Sequence, residues 1–232
     1  MLRTKPMKNL LAKLGVAACL LLGADLLAPV LTAQSKDTDA ITELRAKAEK
    51  GDAKAQFNLG VKYDFGKGVV KDEVEAVKWY RKAADQGDAN GQTRLGFMYQ
   101  FGRGVVKDEV KAVKWYRKAA DQGDGNAQTR LGFMYQFGRG VVKDEVEAVK
   151  WYRKAADQGD ANGQTRLGFM YQFGRGVVKD EVEAYKWYLL GGAQGNDFAR
   201  EGIKEMEGVL TPQQRTEGGK RAREWKPVQP KR

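Results

Sequence analysis

Residues 89–124 read ANGQTRLGFMYQFGRGVVKDEVKAVKWYRKAADQGD, and this stretch decides the fold. It recurs at 125–160 with only three changes, which are Ala89/Gly125, Gly91/Ala127 and Lys111/Glu147. More diverged copies occupy 53–88 and 161–196, so the period is 36 residues. A repeat of this length is typical of helical solenoids, in which each unit buries its apolar face by stacking on its neighbours.

Capping residues divide each unit into two helices. Asp88 can cap a first helix, which ends at Gly102, because glycine readily adopts the left-handed conformation. After a Gly-Arg-Gly turn, Asp108 can cap a second helix, which ends near Gly123. The pattern therefore predicts an all-α fold, a right-handed α-solenoid of helix-turn-helix repeats.

The apolar and small residues of each unit predict which helix faces are buried. On the first helix, Leu95 and Tyr99 lie one turn apart, beside the small residues Gly91 and Gly96. On the second helix, the residues spaced as one packed face are Ala112, Tyr116, Ala119 and Ala120. We expect large aromatic side chains to pack against small ones between helices.

These residues also carry a family resemblance, which covers 53–196. The unit at 125–160 resembles a Sel-one-like repeat, a relative of the tetratricopeptide repeat, through the pattern Ala127-Gln128-x-x-Leu131-Gly132-x-x-Tyr135-x-x-Gly138-x-Gly140-Val141-x-x-Asp144-x-x-x-Ala148-x-x-Trp151-Tyr152-x-x-Ala155-Ala156-x-x-Gly159. The resemblance implies a scaffold whose first helices line a concave groove.

The chain divides around this array. We predict a signal peptide at 1–33, an N-terminal capping helix within 34–52, and repeats at 53–88, 89–124, 125–160 and 161–196. Residues 197–232 are predicted to form a C-terminal capping helix and a basic tail helix. The capping helix is indicated by Phe198, Gly202, Ile203, Met206 and Leu210. The tail helix starts at Thr211-Pro212, a cap residue followed by proline at the first helical position.

The N-terminus is typical of an export signal. A basic start precedes an apolar stretch from Leu14 to Ala24, and Ala33 offers a small residue for cleavage before a polar sequence. An uncleaved anchor over 14–33 is the alternative, although Asp25 would lie near its centre at a considerable cost. The segment before Cys19 also resembles, weakly, the lipobox of bacterial lipoproteins. We expect a periplasmic or extracellular protein.

Composition argues against catalysis and against nucleic acid. The chain has no histidine and one cysteine, so most catalytic triads, zinc sites and disulfides are excluded. We predict no catalytic, metal-binding or cofactor-binding residues, and no cofactor. The formal net charge is +11; without residues 1–33 the excess lies in the tail and in the repeat at 89–124, while the repeat at 125–160 is nearly balanced. A nucleic-acid binder of this shape should carry its basic stripe along the repeats.

The candidate site is a surface of the first helices. Opposite Leu95, a helical projection places aromatic and arginine side chains, the usual anchors of protein interfaces. The predicted partner-binding residues are Arg94, Phe97, Phe101, Arg130, Phe133, Phe137, Arg166, Phe169 and Phe173. The alternative is that these phenylalanines pack against the first helix of the next unit.

The sequence as a whole predicts an exported, monomeric scaffold that binds a protein or peptide on its concave face. The alternative is an envelope-associated module that binds an anionic polymer, such as peptidoglycan, through the basic tail. A third interpretation, a hydrolase, comes from the cysteine-rich secreted relatives, whose cysteines this chain lacks.

Overall fold

The computed structural model describes residues 39–228, and the predicted signal peptide at 1–33 lies outside that range. The described part contains eleven helices and no strand. None of these helices has the length and apolar character needed to cross a membrane. In order, the helices are α1 (39–49), α2 (Ala53–Phe65), α3 (Glu73–Asp85), α4 (Ala89–Phe101), α5 (Glu109–Asp121), α6 (Gly125–Phe137), α7 (Glu145–Asp157), α8 (Ala161–Phe173), α9 (Glu181–Ala193), α10 (Asp197–Val209) and α11 (Pro212–Glu224).

The helices begin and end where the capping residues predict. The carboxylate of Asp88 accepts a hydrogen bond from the Gly91 amide, and Asp108 accepts one from Lys111. Gly102 ends α4 with a φ of 68°, in the left-handed region that favours glycine. The prediction of an all-helical solenoid with a 36-residue period is confirmed.

Within a repeat, a glycine of the first helix faces an aromatic ring of the second. A Cβ added at Gly96 would lie 2.7 Å from the Tyr116 ring, so only glycine allows this approach. The Tyr116 hydroxyl then donates to Gln100 Oε1 at 2.7 Å. Burial raises the pKa of Tyr116, so the phenol stays protonated and remains a donor. Equivalent hydroxyl contacts recur in every repeat.

Between repeats, a chain of buried glutamines joins successive units. Gln92 donates to the Ala84 carbonyl at 3.1 Å and accepts from Gln122 at 2.8 Å. At the N-terminal end, Gln56 donates in the same way to the carbonyl of Ala48 in α1. Helix α1 therefore occupies the place of a second helix before the first repeat.

Each Gly-Arg-Gly turn packs on the helix of the preceding unit. A Cβ at Gly140 would overlap the Glu109 carbonyl at the start of α5, and Gly104 meets Glu73 in the same way. Gly140 also has a φ of 62°. Both its conformation and its surroundings therefore require glycine.

The C-terminal segment folds back onto the last repeat. Gly218 is buried against the Tyr185 ring, so this glycine of α11 allows close packing against α9. The ring of Trp225 meets that of Trp187 edge-on at 6.3 Å, and the Val228 amide donates to the Asp157 carbonyl. Phe198, one of the residues that indicated the capping helix, is 80% exposed at the start of α10.

Candidate partner-binding groove

The predicted phenylalanines form one pair in each of three first helices, and the two members of a pair differ in burial. The inner phenylalanines, Phe97, Phe133 and Phe169, are partly buried and pack against the core. The outer phenylalanines are about half exposed, with values of 51%, 48% and 52% for Phe101, Phe137 and Phe173. Within each pair the ring centres are 4.6–4.7 Å apart. The inner rings thus serve packing, while the outer rings are open to solvent.

The three predicted arginines, here called the groove arginines, each reach back to a ring of the preceding first helix. The Cζ atom of Arg130 lies 4.9 Å from the centre of the Phe97 ring. Arg166 lies 5.7 Å from Phe133, and Arg94 lies 5.7 Å from Phe65. Cation–π contacts of this kind hold a guanidinium in place without neutralising its charge.

Sequence reasoning missed a second set of cations, the turn arginines Arg103, Arg139 and Arg175. Their Cζ atoms lie 5.7, 5.1 and 5.2 Å from the centres of the inner rings of their own repeats. Phe133 therefore lies between two guanidiniums, one from the turn and one from the next first helix. The signal that could have revealed them is their place in the Gly-Arg-Gly turn, directly after the outer phenylalanine.

Three cavities connect these side chains along the first helices. A cavity of about 330 Å³ is lined by Phe101, Phe133 and the arginines 130, 139 and 166. A neighbouring cavity of about 390 Å³ lies between α8 and α10, and one of about 180 Å³ lies between α4 and α6. Eight of the nine predicted residues line at least one of the three, and Phe137 is the exception. We call this surface the groove.

The groove carries uncompensated positive charge. Within residues 39–228, the groove arginines, Arg139 and Arg175 take part in no ion pair. The two smaller cavities are lined by one carboxylate each, those of Asp124 and Asp160. Each already caps a helix and accepts a threonine hydroxyl from the first helix of its own repeat.

The C-terminal end of the groove has the opposite charge. In α10, Glu205 stands one period after Phe169, and Gly202 stands one period after Arg166. Glu201 and Glu205 line the 390 Å³ cavity together with the exposed ring of Phe198. Glu205 accepts a hydrogen bond from the Gln172 amide at 2.9 Å.

The groove offers binding groups rather than a reactive cluster. Its polar side chains are guanidiniums, amides, hydroxyls, two capping carboxylates and the two glutamates of its C-terminal end. In the part of the chain that the structure describes, no group of acidic, histidine or cysteine side chains could hold a metal ion.

The basic tail is partly tied to the solenoid. Arg221 pairs with Glu217 at 2.8 Å and contacts Glu183 of α9 at 3.4 Å. Lys220, Arg223 and Lys226 are exposed. The tail thus combines a docked face with a basic face that is open to solvent.

Stacked pairs of helices with a period of 36 residues define a solenoid of the Sel1 type. The sequence profile of the Sel1 repeat matches residues 53–88, 89–124, 125–160 and 161–196. The chain therefore belongs to the Sel1 repeat family, as the resemblance predicted. Sel1 repeat proteins typically mediate protein–protein interactions, and the scaffold is generally non-catalytic.

Solved structures share the fold. A Sel1 repeat protein from Oxalobacter formigenes is 37% identical, over 83% of this chain and 79% of that one, with a TM-score of 0.71. The protective antigen c5321 from uropathogenic Escherichia coli strains is 32% identical, over 81% of this chain and 48% of its own, with a TM-score of 0.55. The immunity protein PA5088 from Pseudomonas aeruginosa, at 24% identity over 84% and 80% and a TM-score of 0.52, shares the fold alone. No curated protein matches.

Proposed function

We propose that this protein is an exported, monomeric scaffold that binds a protein or peptide partner in the groove. One observation carries the proposal, namely that two half-exposed outer phenylalanines, Phe101 and Phe173, line the same cavities as unpaired arginines. Aromatic and arginine side chains supply most of the energy in protein interfaces. The function proposed is binding, and it includes no chemical step.

The outer phenylalanines provide the test, because they are half exposed and their loss leaves little cavity in the core. Because about half of each ring is already covered, covering the rest with a partner contributes roughly 1 kcal/mol per ring. We expect a triple serine variant to keep its melting temperature and to lose at least about tenfold in affinity for a partner captured with the native chain. The substitutions are Phe101→Ser, Phe137→Ser and Phe173→Ser.

A matched control removes apolar side chains that are more exposed than the outer phenylalanines and lie in the turns. Val106, Val142 and Val178 are 85%, 85% and 86% exposed in the turns of the same repeats and line none of the three cavities. Their triple serine variant should bind as the native chain does. Equal partner affinity of the native chain and the folded phenylalanine variant would contradict the proposal.

Export is part of the proposal and rests on the basic start and apolar stretch of residues 1–33. Mass spectrometry of the mature protein should find its N-terminus at Gln34. A lipid-modified Cys19 or a retained N-terminus would contradict cleavage at Ala33.

A second candidate is attachment to an anionic envelope polymer, such as peptidoglycan, through the tail. The exposed cations of α11 and its C-terminal extension favour it. A triple glutamine variant at Lys220, Arg223 and Lys226 should then lose sedimentation with purified peptidoglycan in a salt-sensitive way. Unchanged sedimentation would exclude this role of the tail.

A further inference from the structure

We propose that the groove recognises an extended acidic segment of its partner, with carboxylates at every third residue and a basic residue three positions beyond the last of them. This inference rests on the proposed function and specifies the partner that the groove selects. Three features of the groove support it. They are the spacing of its arginines, the aromatic rings that hold these arginines, and the change of charge at the C-terminal end of the groove.

The groove arginines recur once per repeat, on first helices that neighbour each other. Arg94 and Arg130 line one cavity, and Arg130 and Arg166 line the next. Helices in contact have axes about 8–10 Å apart. An extended peptide advances about 3.3 Å per residue, so three residues span one repeat. A carboxylate at every third residue of an extended partner therefore meets one arginine after another.

The arginines are held in place before a partner arrives. Arg166 and Arg139 lie on the Phe133 ring at 5.7 and 5.1 Å, and no carboxylate within residues 39–228 pairs with either. A planar guanidinium binds a carboxylate through two parallel hydrogen bonds. Because the rings already restrict both side chains, less conformational entropy is lost on binding. Phe101 and Phe173 line the same cavities as the groove arginines Arg130 and Arg166, and they favour apolar residues between the acidic ones.

The C-terminal end of the groove gives the partner a direction. Helix α10 continues the series of first helices but carries Gly202 and Glu205 in place of the arginine and the inner phenylalanine. Glu201 and Glu205 line the terminal cavity, beside the exposed ring of Phe198. One further repeat again corresponds to three residues of extended chain. A lysine or arginine at that position of the partner meets these glutamates.

Labelled synthetic peptides added to the purified full chain test the inference. The first peptide carries aspartates at every third position, with a lysine three positions after the last, separated by leucine and serine. The second has the same composition with its aspartates adjacent, and the third has asparagine in place of aspartate. We expect the first to bind at least about tenfold more tightly than the other two, measured by fluorescence anisotropy.

Variants of the groove assign the effect to its charges. Glutamine at the groove arginines should abolish the preference for spaced aspartates, while Glu201→Gln with Glu205→Gln should abolish only the contribution of the peptide lysine. A control removes the same number of positive charges from exposed positions of the second helices, through Lys78→Gln, Lys114→Gln and Lys150→Gln. The control should retain the preference.

The outcomes separate this inference from the proposed function. If all three peptides bind equally and lose affinity in the outer-phenylalanine variant, the groove binds peptides but the spacing rule is wrong. If none of the peptides binds, the groove does not recognise an acidic segment and this inference is wrong. The capture of a partner by the native chain and the outer-phenylalanine variant then tests the proposed function separately. If the arginine variant and the lysine control lose affinity equally, the attraction is non-specific and the inference fails.

Discussion

Two turns with the same Gly-Arg-Gly sequence place their arginines in different roles. Arg103 donates to Asp64 at 2.8 Å and to Glu73 at 2.6 Å, so it bridges the first two repeats. Arg139, one repeat further, has no ion pair within residues 39–228 and lies over the Phe133 ring. The corresponding residue of the preceding first helix decides the difference, because it is Asp64 at the first junction and Gln100 at the second.

A buried carboxylate in the preceding first helix thus holds the turn arginine in an ion pair between two repeats. The Asp64 side chain is fully buried, and a charge in that place needs a partner. Gln100 accepts a hydrogen bond from the equivalent tyrosine, Tyr116, without a charge, so the next arginine forms no ion pair with it. One substitution between repeats can therefore add a cation to the groove or remove one from it.

The largest effect on the free energy of unfolding is expected from substitutions of the turn glycines, and it does not depend on the ion pairs. Gly104→Ala and Gly140→Ala should each destabilise the protein by more than about 3 kcal/mol, because an added Cβ overlaps a carbonyl of the preceding second helix. Gly68→Ala is the control, since Gly68 also has a positive φ but its nearest neighbour is an Ile41 side-chain carbon, 3.2 Å from the added Cβ. We expect a loss of about 1–2 kcal/mol there. Chemical denaturation measures all three.

Substitutions of Arg103 and Arg139 should have smaller effects on stability, and the two effects should differ. Arg103→Gln leaves a buried carboxylate without its guanidinium and should cost about 2–3 kcal/mol, somewhat less than a fully buried pair because Arg103 is partly exposed. Arg139→Gln should change the free energy of unfolding by less than about 0.5 kcal/mol. Adding Asp64→Gln to Arg103→Gln should restore most of the loss. Equal losses for the two single variants would refute the comparison.

The smallest effect concerns the pH dependence of the free energy of unfolding. Hydrogen bonds from Arg103 and Lys71 hold the pKa of Glu73 below its ordinary value. A carboxylate with a lowered pKa in the folded state stabilises the protein above its unfolded pKa, and this contribution is lost as the pH falls through the folded value. Unfolding curves between neutral and acidic pH should therefore show a shallower acid-induced loss for Glu73→Gln than for the native chain. Identical slopes would mean that Glu73 adds no pH-dependent stability.

The helices and the core could be predicted from the sequence because their signals are local and repeated. Asp88, Gly102 and Asp108 determine helix ends through contacts within a few residues. The groove arginines and phenylalanines could be placed on one face for the same reason, since a helix turns by a constant angle per residue.

The missed features depend on contacts between units. The turn arginines lie outside the helices, so a helical projection says nothing about their direction. The buried state of Asp64 and the packing of Gly218 on Tyr185 follow from how one repeat stacks on another. The exposure of Phe198 likewise follows from the stacking, since its position matches that of Asn162 at the groove.

The interchangeable junctions make the length of the array adjustable. Residues 89–124 and 125–160 are nearly the same, so removal of 89–124 would join the first repeat directly to the third. Asp64 and Glu73 would then meet Arg139 in place of Arg103, with the same turn and the same glycine contact. A shortened gene product would lose one arginine position of the groove and keep its junction chemistry. Duplication or deletion of whole repeats could thus change the length of the partner segment that we propose the groove binds. No new interface between repeats would have to evolve.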